Sequence, residues 1–508
     1  MGGTTPETEE TIFKGRVHLD LRCVNCHPGA SEVPHPRDFR AATCESCHSD
    51  VPPHVVRRKG QPPPQPATPL PDCIRCHGYH GISAPADPDS PVGHTKVPSL
   101  CAQCHDGPEP GVRSARAYLN SVHGRAHERE PEGPAAVCTD CHGAHGMRTV
   151  EADDSPVGRA RVALTCAKCH EAIHAQYEDS VHGVARRGGV ADAPTCTDCH
   201  GEHDIRPPTD PLSSVYPTHI AHTCGKCHDD EEVQRKYGLP AERMASFVGS
   251  YHGVASQYGD TRVANCASCH GVHDILPSSD PRSRVNKANL ARTCGECHEG
   301  ATDRFAEGSV HVLPSPHRDR VIYYVRLAYQ IFIALLISSF VAYIVLEVFA
   351  HVRRRRRGEA QRIPWRWSER HEPDRFTTNE KVQHWVLVAS FFVLVITGLA
   401  LMIPDTPAAR FVMTVTGGPK GRAIIHRIAG AVLILGFLYH LVWLFATRTG
   451  RAELRAFWPR RRDVTDILKV LKRNVGLASD APKFARFNFA EKGEYYAVIW
   501  GTIVMGAT

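Results

Sequence analysis

The sequence predicts a mainly α-helical and loop fold in two parts: a tandem N-terminal array, then a transmembrane helical bundle. Three observations lead there. All twenty cysteines fall in ten copies of Cys-x-x-Cys-His. Eight of those copies form four pairs with a single repeated spacing. Apolar blocks long enough to cross a bilayer begin only after residue 320.

The cysteine pairs are Cys23/Cys26, Cys44/Cys47, Cys73/Cys76, Cys101/Cys104, Cys138/Cys141, Cys166/Cys169, Cys196/Cys199, Cys224/Cys227, Cys266/Cys269 and Cys294/Cys297. The histidines that follow them are His27, His48, His77, His105, His142, His170, His200, His228, His270 and His298. This is the attachment signature for c-type haem: two thiols form thioethers with the porphyrin vinyls, and the adjacent imidazole ligates the iron. Zinc ribbons and redox dithiols use Cys-x-x-Cys without needing a histidine after every copy. Ten copies and no spare thiol predict a decahaem cytochrome.

Up to residue 318 the chain is rich in Pro, Gly, His and Cys and poor in long apolar stretches. The haems are therefore expected to form the core, with short helices and loops wrapped round them. Because the remainder turns apolar in blocks, the net charge of +6 averages two unlike objects and identifies no partner.

First cysteines at 73 and 101, 138 and 166, 196 and 224, and 266 and 294 are each 28 apart, which defines a repeated dihaem unit. The opening pair, 21 apart, reads as a degenerate cap. Residues 1–60 are thus the cap and 61–318 an array of four units. Each first motif continues as His-Gly-x-His, supplying His80, His145, His203 and His273. Ser-Val-His or Ser-Tyr-His follows each second motif, supplying His123, His182, His252 and His311. Low-spin electron-transfer haem needs a second strong ligand, and neutral imidazole provides one. These eight are the expected distal ligands. A histidine three residues beyond a proximal ligand cannot easily fold back over its own porphyrin, so His-Gly-x-His should serve a neighbouring haem. In the cap, His18, His35 and His54 compete for two places. His94, His127, His174, His219, His222 and His317 follow no repeat and are expected on the surface. With no repeat-locked methionine, the array should work at the reducing end of respiration.

Leu327–Leu346 is uncharged and leads into Arg353–Arg357. Further spans are expected at Val382–Ile403 and Ile424–Ala446, with an incomplete one from Tyr495. Segments 350–381 and 447–492 hold ten and twelve Lys/Arg, whereas 404–423 holds three. The positive-inside rule places both basic segments in the cytoplasm and the haem domain in the periplasm of a bacterial inner membrane. The arginine run is therefore a topology signal, and no nucleic-acid partner is expected. The organisation is a span at 321–350, a basic linker at 351–381 and a membrane module at 382–508. Thioether attachment outside the membrane requires export, so a signal segment is expected ahead of this sequence. His384, His426 and His440 fall in the spans, where ionisable groups are functional by default. His426 and His440 are ~21 Å apart along one helix face, as two stacked b-type haems require. By depth, His384 and His440 could share the inner haem.

Arg375–Pro404, with Asn379-Glu380-Lys381-Val382-Gln383-His384-Trp385 and Thr397-Gly398-Leu399, resembles the cytochrome b subunit of formate dehydrogenase and nickel–iron hydrogenase. Arg422–Gly430 and the Phe487–Lys492 segment are similar to that family's second and third helices. The resemblance covers about residues 372–508. It implies a four-helix module with one or two b haems that oxidises or reduces quinone, with His384 and His426 as ligands. It also implies that Asn488 contacts quinone near the inner haem. The family's fourth helix, with two haem ligands, has no counterpart here, and His440 is an addition. The whole layout resembles the inner-membrane quinol dehydrogenases of metal-respiring bacteria. That implies menaquinol as donor, periplasmic c-type cytochromes as acceptors, and a complex with further respiratory subunits. Asn488 and His384 are then the expected catalytic residues. Two other functions fit the motifs: a multihaem reductase of nitrogen or sulfur oxyanions with an open iron in the cap, or an electron-transfer subunit docked on a separate dehydrogenase.

Overall fold

The computed structural model describes residues 17–18, 20–34, 42–52, 54, 73–107, 114–240, 242–308, 310–311, 320–358, 376–478, 484 and 486–507. His35, His317 and the middle of the basic linker lie outside them. Regular structure is helical, and no β-strand forms among the described residues. The chain divides into two units, Met1–Phe247 with Thr261–Val310, and Val248–Asp260 with His311–Thr508.

In the first unit each repeat's first motif folds as one short helix: Cys73–His77, Cys138–His142, Cys196–His200 and Cys266–His270. Positions i, i+3 and i+4 share a helix face, so both thiols and the proximal imidazole point the same way. The helices start on side-chain caps. Val137 N donates to Asp140 at 2.7 Å and Thr195 N to Asp198 at 2.6 Å. They stop at the glycine of His-Gly-x-His, where Gly78, Gly143, Gly201 and Gly271 take φ of 78°, 80°, 82° and 91°. Only glycine enters that left-handed region without strain, so this residue is the helix stop that redirects the next histidine.

Ser121 and Ser180 of the Ser-x-His phrases cap helices of their own, accepting from Gly124 N at 3.1 Å and Gly183 N at 3.2 Å. A Cβ on Gly124 would lie 2.1 Å from the Tyr118 carbonyl oxygen, and one on Gly183 2.2 Å from that of Tyr177. In three of the four copies the phrase is Ser-x-His-Gly; the fourth runs on into Val312. Long loops repeat as well: Ser213 and Ser283 hydroxyls donate to the carbonyls of Arg206 and Leu276, both at 3.2 Å. Buried apolar side chains are scattered singly, among them Val97, Val137, Val162 and Leu276. The protein alone supplies no continuous core there.

Two surface expectations need correction. His127 is buried because its ring packs edge-on to His94 and its Nε2 lies 3.2 Å from the Thr95 carbonyl oxygen. His174 is partly buried against Tyr177 and Glu178 on the turn of helix around it. His94, His219 and His222 are exposed.

The second unit is a helical bundle: α1 (Arg320–Arg356), α2 (Thr378–Met402), α3 (Pro407–Val415), α4 (Gly418–Ala446), α5 (Arg448–Phe457), α6 (Arg461–Val475) and α7 (Phe489–Ala507). Of these, α1, α2 and α4 are long and apolar enough to cross a membrane. The central packing is α2 on α4. The basic foot of α1 is tied to α6: the Arg353 guanidinium donates to the carbonyls of Asn474 and Val475, a cation at a helix C-terminus. Buried Lys492 of α7 reaches Asp463 of α6 at 2.8 Å. The helix Tyr251–Gln257 also belongs to this unit. Its Val254 packs with Ala400, Ala409 and Met413, Tyr258 OH donates to the Pro404 carbonyl at 2.6 Å, and Gln257 Nε2 donates to Asp405 at 2.8 Å.

Candidate haem and quinone sites

Seven proximal histidines of the first unit each face the ring of a second histidine, with centroids 5.9–6.3 Å apart. The pairs are His27–His80, His48–His18, His77–His145, His142–His203, His170–His123, His200–His273 and His228–His182. His54, whose carbonyl accepts from Met147 N at 2.9 Å, sits within electrostatic reach of His105. The spacing is too wide for ring contact and fits an inserted metal. With metal–nitrogen bonds of about 2 Å and ring centres about 1.1 Å behind each nitrogen, centroids fall about 6 Å apart.

The pairing follows one register. A second-motif histidine faces the Ser-x-His residue that precedes its module: His170 faces His123, and His228 faces His182. A first-motif histidine faces the His-Gly-x-His residue of the module after: His77 faces His145, His142 faces His203, and His200 faces His273. The structural module therefore begins at Ser-x-His, ahead of the cysteines, and each module hooks its predecessor. A boundary at residue 60 separates His54 from the His105 beside it. Backbone stitches reinforce the register, with Val122 N donating to the Ile205 carbonyl and Val181 N to that of Ile275, both at 2.8 Å.

The electrostatics suit metal binding. Burial lowers the pKa of His123, His142, His200 and His228, and burial followed by the charge of His228 brings His182 to about 4. These rings are neutral at pH 7, and the neutral ring carries the lone pair a metal takes.

No disulfide joins any of the twenty cysteines, and the protein covers them unevenly. Cys26 and Cys47 of the cap, and Cys104, Cys169 and Cys297 of the array, are exposed. So are the first thiols Cys23, Cys44 and Cys73. The reason is local. Cys26 ends a one-turn helix, Cys23–Cys26, and Cys47 follows a single turn, Cys44–Ser46; neither element buries a residue. Cys104 is the penultimate residue of the helix Val97–His105, while Cys169 and Cys297 lie just past the helices Val162–Ala167 and Leu290–Gly295. In the array the following module partly covers the first thiol of a second motif, as the helix Cys138–His142 packs on Val97–His105 and Cys196–His200 on Val162–Ala167. The second thiol, three residues on, is left at the rim at Cys104, Cys169 and Cys297, whereas Cys227 is partly covered. Thioether formation needs a sulfur that a porphyrin edge can reach, so exposure moves the five exposed second thiols to the edge of the haem sites without disqualifying them.

The bundle treats its histidines differently. The Thr397 hydroxyl donates to the Val393 carbonyl at 2.6 Å, so toward His426 Nδ1, 2.7 Å away, it can only accept. That fixes the proton on Nδ1 and leaves Nε2 as a free lone pair, the arrangement of an oriented metal-binding imidazole. Buried Arg422 steadies the same turn by donating to the Thr397 carbonyl at 2.8 Å. His440 has no such freedom. Its Nδ1 lies 2.6 Å from Gln383 Oε1 and its Nε2 2.8 Å from Tyr495 OH, so both nitrogens are spent. His384 is exposed, its ring edge-on to Trp385. His384 and His440, expected together at an inner haem, thus differ in setting: His384 is exposed, and Gln383 and Tyr495 hold both nitrogens of His440.

Asn488 caps α7: its Oδ1 accepts from Glu491 N and its own N donates to the Glu491 carboxylate, both at 2.9 Å. Its amide NH2 is the part left for a ligand. Tyr495 stacks on Phe457 at 4.1 Å, and Phe457 on Phe487 at 3.9 Å. Sequence reasoning gave no role to Thr397, Gln383 or Tyr495. The first two stand in the stretches that carry the cytochrome b resemblance, which was their only signal.

The family model for prokaryotic cytochrome b561 matches residues 375–508, and that for cytochrome c3 matches residues 16–106. No curated protein and no solved structure matches the chain. The chain is a membrane electron-transfer protein. A cytochrome c3-type multihaem domain lies at its N-terminal end and a b561-type helical domain at its C-terminal end, which fits a fusion of the two and implies haem c and haem b as cofactors.

Proposed function

We propose that this chain is a membrane-bound quinol dehydrogenase. It takes electrons from quinol or menaquinol through one or two b haems into a decahaem array, and passes them to periplasmic c-type cytochromes or other acceptors. The observation that carries the reading is the set of seven histidine pairs at iron-binding separation, each joining a Cys-x-x-Cys-His imidazole to a second histidine by one register. The ten cysteine pairs hold the haems covalently. The paired histidines, with His54 at His105, ligate eight irons, and His252 and His311 complete the set for the last two. Both cap irons are served by His80 and His18, so the register has no place for His35.

Covalent haem supplies the one-electron chemistry, and the protein sets spacing, ligation and dielectric. Bis-histidine ligation closes both faces of each iron, which suits outer-sphere transfer and leaves no face for an oxyanion. Both cap histidines face a second ring, and this favours the wire over the reductase.

In the bundle, His426 and His384 hold haem b, with His426 oriented by Thr397. Quinol is oxidised on the cytoplasmic side near His384, with the Asn488 amide as a hydrogen-bond donor to the quinol oxygen. The Tyr495–His440–Gln383 chain lies in the same half of the bundle and can carry protons from that oxygen. Periplasmic placement of the array draws support from the arginine- and lysine-poor loop 404–423 between two basic segments. The test is menaquinol-driven reduction in the purified protein. The c-haem α band should grow after the b-haem band, and a quinone-site inhibitor should stop both.

A further inference from the structure

Helix α6 wears its polarity inside out. Its buried residues are Asp466, Val470 and Asn474, so two of the three side chains it hides in the bundle are polar. Asp463, on the same face, meets the Lys492 ammonium of α7 at 2.8 Å. The apolar residues point away: Val464, Ile467, Leu468, Leu471 and Val475 are all exposed, Leu468 at 55% against 4% for Asp466. Arg461, Arg462, Lys469 and Lys472 are exposed as well, with Arg473 half-buried beside them. At about 100° per residue these sets occupy three separate sectors of the helix, one polar and turned inward, one apolar and one basic. Both acids of α6 lie in the inward sector, so its outward surface presents cations and no carboxylate.

The two ends of α6 fix its place. Asp463 in its first turn is tied to Lys492 in the first turn of α7. In its last turn the carbonyls of Asn474 and Val475 accept from Arg353, where the apolar run of α1 gives way to arginines. These anchors are ~16 Å apart along the helix. So α6 bridges the foot of α1 and the start of α7, on the side of the arginine run. At 15 residues, with five Lys/Arg among them, it is too short and too charged to cross a bilayer itself. Trp458 ahead of it and Leu477 behind it are exposed, at 64% and 79%.

We propose that α6 lies in the headgroup layer of the leaflet on that side and binds acidic phospholipids. Its apolar sector rests on the acyl chains and its basic sector on the phosphates, which the long Lys and Arg stems reach from the boundary. The inference rests on the membrane spans α1, α2 and α4 and is independent of the quinol reading. Charge selects the occupant. Four exposed cations edging an apolar stripe complement an anionic lipid surface, whereas a second copy would set the same cations against each other. Because Asp463 holds Lys492, an acidic leaflet also steadies the turn of α7 that Asn488 caps.

Hydrogen–deuterium exchange of the full-length holoprotein in nanodiscs tests this, with phosphatidylcholine alone or with phosphatidylglycerol added. Exchange across residues 461–475 should slow about tenfold in the acidic discs, and the difference should shrink in high salt. The double variant Arg461→Gln, Lys472→Gln should lose most of that slowing. Both side chains face outward, and slow exchange in α2 and α4 reports that the bundle of the variant is intact. Equal exchange of α6 in the two lipids would overturn the proposal. So would protection that appears in lipid-free detergent and follows a dimer on a sizing column, which would give the face to a second copy. Failure of the underlying spans shows separately, as fast exchange along α2 and α4 in every disc.

Discussion

The array and the bundle both position histidines, and they do so by opposite means. In the array a ring faces another ring across about 6 Å, a gap that fits an iron between two nitrogens. In the bundle a ring faces a hydrogen-bond partner: His426 meets Thr397, and His440 meets Gln383 and Tyr495. The array fixes its rings by repetition, since each module sets one histidine against a ring of its own and another against a ring of its predecessor. The bundle fixes each ring once, through side chains on facing helices. The same residue type thus has three fates, decided by what its second nitrogen meets. In the proposed reading it ligates iron beside a partner ring, ligates with an oriented lone pair at His426, or relays protons at His440.

The largest expected effect lies where the two regions meet in function. His384→Ala should remove a b haem and abolish menaquinol-driven reduction of the c haems, while dithionite still reduces all of them. Stopped-flow spectra with each reductant check this. A native rate with menaquinol would make the chain a wire served by another protein's quinone site.

Next in size is a change at one iron of the array. His145→Ala should convert one haem to high-spin while all stay attached. The open iron should be the one on Cys73 and Cys76, read as added cyanide in a structure of the variant. An open site on Cys138 and Cys141 would break the cross-module register.

A matched pair sharpens the contrast between His426 and His440. Thr397→Val leaves His426 without its orienting partner and should weaken haem b retention roughly 10–100-fold. His440→Ala should leave the b-haem spectrum unchanged and slow quinol oxidation. Loss of b haem in His440→Ala would return His440 to the iron ligands.

The smallest effects are structural. Ser121→Ala removes a helix cap and should cost about 1 kcal/mol, a few degrees in Tm. Gly124→Ala drives a methyl into the Tyr118 carbonyl and should cost about 1–3 kcal/mol. Thermal unfolding followed in the Soret band measures both, and a Gly124→Ala variant as stable as the parent would show that the Ser-x-His-Gly turn can relax.

The haem motifs were legible because attachment is covalent and local: two thiols and a ligand must lie within five residues. How far the chain covers each thiol was not legible, since Cys101 is partly covered by the next module while Cys104, in the same motif, is exposed. Repetition made His145 and His203 legible apart from unpatterned His94, and each faces a proximal ring in the structure. Their partners were not legible. His80 meets His27 and not an iron of its own repeat, because Gly78 ends the helix and turns the chain toward the preceding module. Spacing between cysteines says nothing of which histidine opens a module, and the ring pairs favour the Ser-x-His phrase. In the bundle, His440 had the right depth and face for an iron ligand. Gln383 and Tyr495, which occupy both its nitrogens, sit 57 and 55 residues away on other helices. His127 was misplaced for the same reason, its burial depending on the Thr95 segment 32 residues earlier.

The central claim is that paired histidines close every iron of a ten-haem array fed by the membrane module. Redox-titrated optical and paramagnetic resonance spectra of the purified full-length protein, counting c haem, b haem and high-spin iron, test it most directly. The account predicts ten c haems, all low-spin, and one or two b haems. A high-spin c haem in the untreated protein, or fewer than ten c haems after complete maturation, would contradict it.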